Sequence, residues 1–331
     1  MKPRGKVDAK GDRLARKYEV TIIGHVCNDS IITPSGLRRA KGGPPLYGGL
    51  TACRLGVRVA VVSKVGSAKD LRDFSSLFRR YGISPYILLG KGKTTTFEIA
   101  YSDEGRTIKL SSNAGEILFE EIPKEALNTS SVLISPVAKE ISYNTVKSFF
   151  RYLKRRRALL SADLQGFTRC FLRDGRLTFK PPKGDLLKFF DIVKGSEREV
   201  KAATGCENLE EALRRLVEQG PKIAIVTLGE QGCIARCSNS IFYVSPLKPR
   251  SVIDPTGAGD AFIATFLAYY IQSKSLEECL RLASAAATYI VERRLPFGNV
   301  TKNEIEELAK NVKVKRRNVA PLKNSSPNTS S

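Results

Sequence analysis

Short runs of β-branched and aliphatic residues, five to seven long, recur along the chain, separated by stretches whose apolar residues fall at three-to-four spacing. This alternation is the pattern of parallel strands joined by helical crossovers. Strands are predicted at Tyr18 to Gly24, Val57 to Val62, Ser131 to Ser135, Ala158 to Asp163 and Lys222 to Leu228. Leu71 to Tyr81, Ser142 to Arg155 and Leu209 to Glu218 are predicted crossover helices, each with Lys or Arg opposite its apolar stripe. The last third is predicted mostly helical, over Gly257 to Gln272, Leu276 to Arg293 and Lys302 to Lys310. A length of 331 residues allows one large α/β domain or two smaller ones.

Two regions break the alternation. Thr94 to Tyr101 and Arg106 to Ser111 flank the turn sequence Asp103-Glu104-Gly105 and are predicted to form an antiparallel hairpin. Residues 30–47 are polar and rich in Gly and Pro, and are expected to add extended chain beside that hairpin. Together, residues 30–47 and 94–111 would make a small β lid on the larger body. No internal repeat points to a solenoid.

The charge is uneven. There are 55 Lys and Arg against 33 Asp and Glu, a net +22. Residues 1–17 hold seven basic and two acidic side chains, and 312–331 hold five basic and none acidic, so the ends carry ten of these charges. Both are expected to be basic disordered tails around a folded domain at 18–311. No apolar run reaches the roughly 18 residues of a membrane span, and residues 1–17 lack a signal-peptide core. A cytoplasmic protein without membrane association is expected. Seven cysteines without a CxxC pair, and a single histidine, fit buried thiols better than a disulfide scaffold or zinc site.

The strongest chemical signal is Asp254-Pro255-Thr256-Gly257-Ala258-Gly259-Asp260-Ala261-Phe262, which opens the apolar helical run Ile263 to Ile271. Small residues at 257–259 let backbone amides approach an anion, and a helix amino terminus adds about half a positive charge. An aspartate there ordinarily caps the helix. Two aspartates around one Gly-Ala-Gly turn leave one for chemistry, accepting a hydroxyl proton while the amides hold a transferring phosphoryl group.

This nonapeptide resembles the signature of the ribokinase-like (PfkB) family of carbohydrate and nucleoside kinases, and the likeness extends over nearly the whole folded chain. Gly24-His25-Val26-Cys27-Asn28-Asp29 resembles the end of the family's first strand, Gly48-Gly49 before Leu50 to Gly56 its di-glycine signature, and Thr227-Leu228-Gly229-Glu230-Gln231-Gly232 its ATP-contacting segment. The resemblance implies a three-layer α/β/α fold with a mostly parallel central sheet and a small β lid, using ATP and Mg2+. Asp260 would be the general base and Gly257, Ala258 and Gly259 the anion hole. Asp29 would bind substrate hydroxyls, with room left by Gly48 and Gly49. Thr227, Gly229 and Gly232 would contact ATP, and the lid offers a surface for a homodimer.

One departure stands out. Where the family commonly has Asn-x-x-Glu organising magnesium through water, this chain has Ser196-Glu197-Arg198-Glu199. Glu199 fits the pattern and Ser196 replaces asparagine, which implies altered metal affinity; the pair is equally a capping box at a helix start. Within the family, Asp163-Leu164-Gln165-Gly166-Phe167-Thr168-Arg169, together with Gly42-Gly43-Pro44-Pro45-Leu46-Tyr47, is most similar to inositol kinases. Gln165 both donates and accepts, and Arg169 donates twice, which suits a polyol ring. Arg169 can instead pair with a carboxylate. Asn113 is either a further substrate contact or a turn former.

The resulting expectation is an ATP-dependent kinase acting on a hydroxyl of a small polyol or sugar, myo-inositol first. A sugar or nucleoside kinase of the same family is the alternative. A nucleic-acid-binding protein on a kinase scaffold is the alternative of another class, and intact Asp254 and Asp260 argue against it. The basic run Arg151 to Arg157 ends a helix, where cations meet the helix dipole favourably, so no nucleic acid is required. Gly92-Lys93-Thr94 is not a P-loop, because position 87 is Ile where glycine is needed. His25, the only histidine, cannot build a Ser/His/Asp triad elsewhere and is expected to be structural or to touch substrate.

Overall fold

The computed structural model describes residues 16–33, 36–102, 105–293 and 301–320. The strands are β1 (Tyr18–Ile23), β2 (Cys27–Thr33), β3 (Gly36–Gly42), β4 (Val59–Val65), β5 (Ser84–Leu89), β6 (Thr96–Ser102), β7 (Gly105–Ser112), β8 (Thr129–Ile134) and β9 (Leu159–Asp163). They continue with the short β10 (Arg169–Phe171) and β11 (Leu177–Phe179), then β12 (Ile192–Ser196), β13 (Ile223–Thr227), β14 (Cys233–Cys237), β15 (Ser240–Val244) and β16 (Val314–Asn318). The main sheet runs β16-β15-β14-β13-β12-β9-β8-β1-β4-β5. It is parallel from β13 to β5, and β14, β15 and β16 extend it antiparallel.

Side-chain alternation makes the layers. Ile22 and Val61 enter one hydrophobic cluster, while their neighbours Ile23 and Val62 enter another. Ile192 and Val193, and Ile225 and Val226, divide in the same way. Successive strand residues point to opposite faces, so each cluster marks one face of the sheet. On one face pack α1 (Pro44–Arg54), α2 (Ala68–Arg80) and three carboxy-terminal helices; on the other pack α3 (Tyr143–Lys154), α5 (Glu197–Thr204) and α6 (Leu209–Glu218). The single turn α4 (Gln165–Thr168) follows β9. The carboxy-terminal helices are α7 (Ala258–Tyr270), α8 (Leu276–Val291) and α9 (Lys302–Ala309). A three-layer α/β/α body results, as expected. None of the described helices is long and apolar enough to cross a membrane.

The lid is a second sheet, β3-β2-β6-β7, in which β2 pairs antiparallel with β3 and parallel with β6. The hairpin β6–β7 forms as expected, although residues 103–104 of its turn lie outside the described residues. The expected lid segment 30–47 is corrected at its end: Pro44 to Tyr47 begin α1. Proline suits a helix's first turn, where its missing N–H would have no partner anyway, and Gly43 turns the chain at a φ of 95°.

The carboxy-terminal tail is also corrected. Val314–Asn318 is an edge strand, with Val244 opposite Val314 and Ser240 opposite Asn318. Arg317 bonds the Tyr243 hydroxyl at 2.8 Å and pairs with Glu210. The charged composition that suggests disorder is what an edge strand carries on its exposed face. Residues 1–15 and 321–331 lie outside the described residues. The basic run at 151–157 closes α3 at the sheet edge opposite the carboxyl ends of the parallel strands, with Arg156 stacked 3.8 Å over the Tyr152 ring. All seven cysteines are free.

Candidate active site

At the carboxyl edge of the parallel strands, β9 and β12 lie side by side with Asp163 paired in register to Lys194. Open α/β sheets place their ligands at this edge. Asp163, Lys194 and Glu199 are almost fully buried, and two ion pairs join them to their surroundings. Lys194 Nζ donates to Asp163 Oδ2 at 2.8 Å, and Arg169 holds Glu199 Oε1 from Nε at 3.0 Å and from Nη2 at 2.8 Å. Burial works against the charge on Lys194, but Asp163 and Glu199 outweigh it and hold the ammonium above its ordinary value. Burial likewise opposes ionisation of Glu199, yet Arg169 and Lys194 keep its carboxyl below the usual range.

Asp260 stands on the first turn of α7 above this cluster. Gln165 donates from Nε2 to Asp260 Oδ1 at 3.3 Å and to Ser135 Oγ at 3.3 Å. Desolvation and then the neighbouring Asp163 push the Asp260 carboxyl up to about 7, against the pull of Lys194, Arg169 and Gln165. A carboxylate poised there can take a proton from a hydroxyl near neutral pH.

The turn before α7 is built as an anion cradle. Gly257 sits at φ 83°, a left-handed conformation suited to glycine, and a Cβ there would be 2.1 Å from the Tyr47 ring. Asp254 Oδ1 accepts from the Thr256 N–H at 2.9 Å and so shapes the turn. Of the three amides expected to form the hole, Ala258 N–H is donated to Pro255 O at 3.3 Å. Those of Gly257 and Gly259 have no partner among the described residues and lie at the positive end of the helix.

An apolar groove of 350 Å³ runs from this turn. Pro246, Leu247, Val252, Ala287 and Val291 line it, together with Ala258, Gly259 and Phe262 of α7 and with Thr227, Gly229 and Gly232. The two glycines hold φ of 58° and 89°. The three residues expected to contact ATP are thus brought to the anion cradle.

The expected acceptor residues divide. Asp29 lies on β2 with Cys27 and Ile31 on its buried face, and it joins Asp260 in raising the Cys27 thiol, after the effect of burial. Gly48 and Gly49 do not leave open room for a ligand. They lie inside α1, where a Cβ on Gly48 would meet Ile22 at 3.2 Å and Ala264 at 3.3 Å, and one on Gly49 would meet Val61 at 3.2 Å. The smallness of Gly48 lets α1 lie against α7 beside the Asp260 carbonyl, 3.4 Å away, and that of Gly49 lets it lie on the sheet. The Asn113 side chain is occupied by backbone, donating to Ala138 O and accepting from Gly115 N–H, both at 2.8 Å. It is a turn former. His25 is buried, with Nδ1 2.7 Å from Thr95 Oγ1, and burial lowers its pKa; it joins the lid strands to the body.

Magnesium finds no ready holder. Among the described residues no group of three or more His, Cys, Asp or Glu could hold a metal. Glu199 Oε1 is taken by Arg169, and Oε2 accepts from the Ser196 N–H at 2.8 Å. The pair forms the capping box of α5. As placed, neither Glu199 nor Ser196 fits as an organiser of the metal's water shell.

Lys194 escapes sequence reasoning, and so does the contact of Tyr47, whose stretch is flagged, with Gly257. Lys194 lies in β12, a strand not singled out, and a lysine within Ile-Val-Lys-Gly was the available signal. Tyr47 packs on Gly257, and only the fold brings them together.

The profile of the pfkB family of carbohydrate kinases matches residues 19–301. The cytidine kinase of Thermococcus kodakarensis is 30% identical over 289 residues, 83% of this chain and 96% of that protein. A pyrophosphate-dependent kinase of the ribokinase family, solved with a pyrophosphate analogue and myo-inositol, superposes with a TM-score of 0.74 at 27% identity, covering 87% of this chain and 99% of that one. Arabidopsis thaliana ribokinase, solved with ribose and ATP, superposes with a TM-score of 0.73 at 20% identity, covering 88% and 99%.

Proposed function

Since the chain belongs to the pfkB family of carbohydrate kinases, phosphotransferases acting on sugar or nucleoside hydroxyls, we propose that it phosphorylates a small polyol, myo-inositol first, with ATP as donor. The observation that carries this reading is the position of Asp260. Its carboxyl, poised near neutrality, stands between the unpartnered amides of the α7 turn and the hydrogen-bonding side chain of Gln165.

In this reading the acceptor hydroxyl gives its proton to Asp260 as its oxygen attacks the terminal phosphorus, and the bond to ADP breaks. The Gly257 and Gly259 amides, with the α7 dipole behind them, meet the charge spread over the phosphoryl oxygens. Gln165 and Asp29 orient the acceptor. Arg169, expected to touch the acceptor, is instead held by Glu199 and is given no step. The lid excludes water from the reacting group. Magnesium is proposed as the counter-ion carried by the ATP phosphates, with no residue of this chain assigned to it and no step depending on one.

The donor assignment rests on the apolar groove. Pyrophosphate, the donor named for the superposed inositol kinase, offers nothing to cover Leu247, Ala287 and Val291, whereas a nucleobase does. Val252, 60% exposed at the groove's mouth, is the kind of surface that a base would cover. A nucleoside acceptor is the second reading, favoured by the likeness to the cytidine kinase. The Gln165 amide beside Asp260, able both to donate and to accept, supports the polyol instead.

A coupled assay of ADP release across myo-inositol, ribose, fructose, adenosine and cytidine tests the proposal. It stands if myo-inositol gives the highest kcat/KM and falls if a nucleoside does. Pyrophosphate in place of ATP tests the donor in the same panel.

A further inference from the structure

The ammonium of Lys194 is unused by the steps above, although it lies within the site. Its side chain is 6% exposed. An ammonium carries three N–H donors; one goes to Asp163 Oδ2 at 2.8 Å, and the others have no protein acceptor among the described residues. Burying a charge with donors unspent is costly unless a ligand completes it.

Its position says which ligand. A Cβ on Gly259 would lie 2.9 Å from Lys194 Nζ, so the ammonium is seated against the first turn of α7. That turn carries the two unpartnered amides and Asp260. Gly259 has ordinary helical backbone, so the room it leaves for Lys194 explains the missing side chain there. Asp163, opposite in the sheet register, holds the ammonium in place. Fixed positive charge near the cradle comes from Lys194, from the helix and from the Arg169 guanidinium held on Glu199, and of the two side chains only Lys194 is seated against Gly259.

Resting on the kinase reading, we propose that Lys194 is a catalytic residue, its ammonium donating hydrogen bonds to the oxygens of the phosphoryl group in flight. The acceptor oxygen forms the new bond to phosphorus while the bond to the ADP oxygen breaks and that oxygen keeps the electron pair. The hydroxyl proton goes to Asp260, and Lys194 stays protonated throughout. Charge on the equatorial phosphoryl oxygens is then met from Lys194 on one side and from the amides on the other.

The test compares Lys194→Met, Lys194→Arg and the double variant Lys194→Met/Asp163→Asn with the wild type. Lys194→Met is expected to lower kcat by about 100-fold or more, with acceptor KM within about threefold, and Lys194→Arg to recover part of the loss. Calorimetric titration with AMP-PNP and with ADP should show the Met variant weakened about tenfold or more for AMP-PNP only. The double variant, which removes both buried charges and so covers a Met variant that fails to fold, should stay as slow as the single one. Restored turnover in the double variant would reduce Lys194 to neutralising Asp163 and overturn the proposal, as would equal losses for AMP-PNP and ADP. A wild type that turns over no acceptor overturns the kinase reading instead, and the titration, which needs no acceptor, still decides Lys194.

Discussion

Gln165 donates a hydrogen bond from Nε2 to Asp260 Oδ1 at 3.3 Å, tying the one-turn helix after β9 to the first turn of α7. The bond favours the charged form of Asp260, opposing burial and Asp163. Replacing Gln165 with Leu should therefore move the inflection of the kcat/KM profile upward from about 7. It should also lower kcat at pH 7 by about tenfold. An unmoved inflection would separate Gln165 from the base.

Asp260 accepts the proton only when ionised. Activity should rise as pH passes through about 7 and level off above it. Stability should behave oppositely. A carboxyl raised in the folded state contributes stability that is fully present below the ordinary carboxyl pKa and lost as pH rises through its folded value. Asp260→Asn should thus melt higher than the wild type at pH 8 and gain little at pH 4, measured by thermal unfolding at both.

The donor groove can be filled from within. Ala287 lines it from α8, and a Phe there would occupy the space assigned to the base. Ala287→Phe should raise KM for ATP by about tenfold or more while leaving acceptor KM unchanged. A matching loss for both substrates would mean general distortion, and a melting curve measured alongside identifies it.

Much of the fold was legible because its signals are local. The β-branched runs at 18–24, 57–62 and 131–135 lie in strands buried on both faces, and burial of that kind leaves no alternative period. The Asp260 turn was legible because small residues opening an apolar helix are a local signal of an anion cradle. Lys194 was not, since a lysine ordinarily marks solvated surface, and its burial depends on Asp163, thirty-one residues away. Gly48 and Gly49 were visible as small residues, but whether they face a ligand or, as they do, α7 and the sheet is decided by packing between distant segments. In the sequence Asn113 reads as either a substrate contact or a turn former, and its two backbone bonds are those of a turn former.

The edge strand makes a separate prediction, because composition alone reads as a tail. A chain ending at residue 311 loses the β15–β16 pairing, the Arg317 bonds and the Arg316 Nε bond to Ser240 Oγ at 3.1 Å. Its melting temperature should fall by about 5 °C or more. An unchanged melt would mean that β16 adds nothing to the fold.

The most direct measurement is transfer of labelled γ-phosphate from ATP to myo-inositol, followed for the wild type and for Asp260→Asn. The wild type should yield labelled inositol phosphate, and the variant a rate lower by about a thousandfold or more with its fold intact. Label transfer by the variant at a near-normal rate, or none by the wild type to any polyol or sugar, would contradict the account.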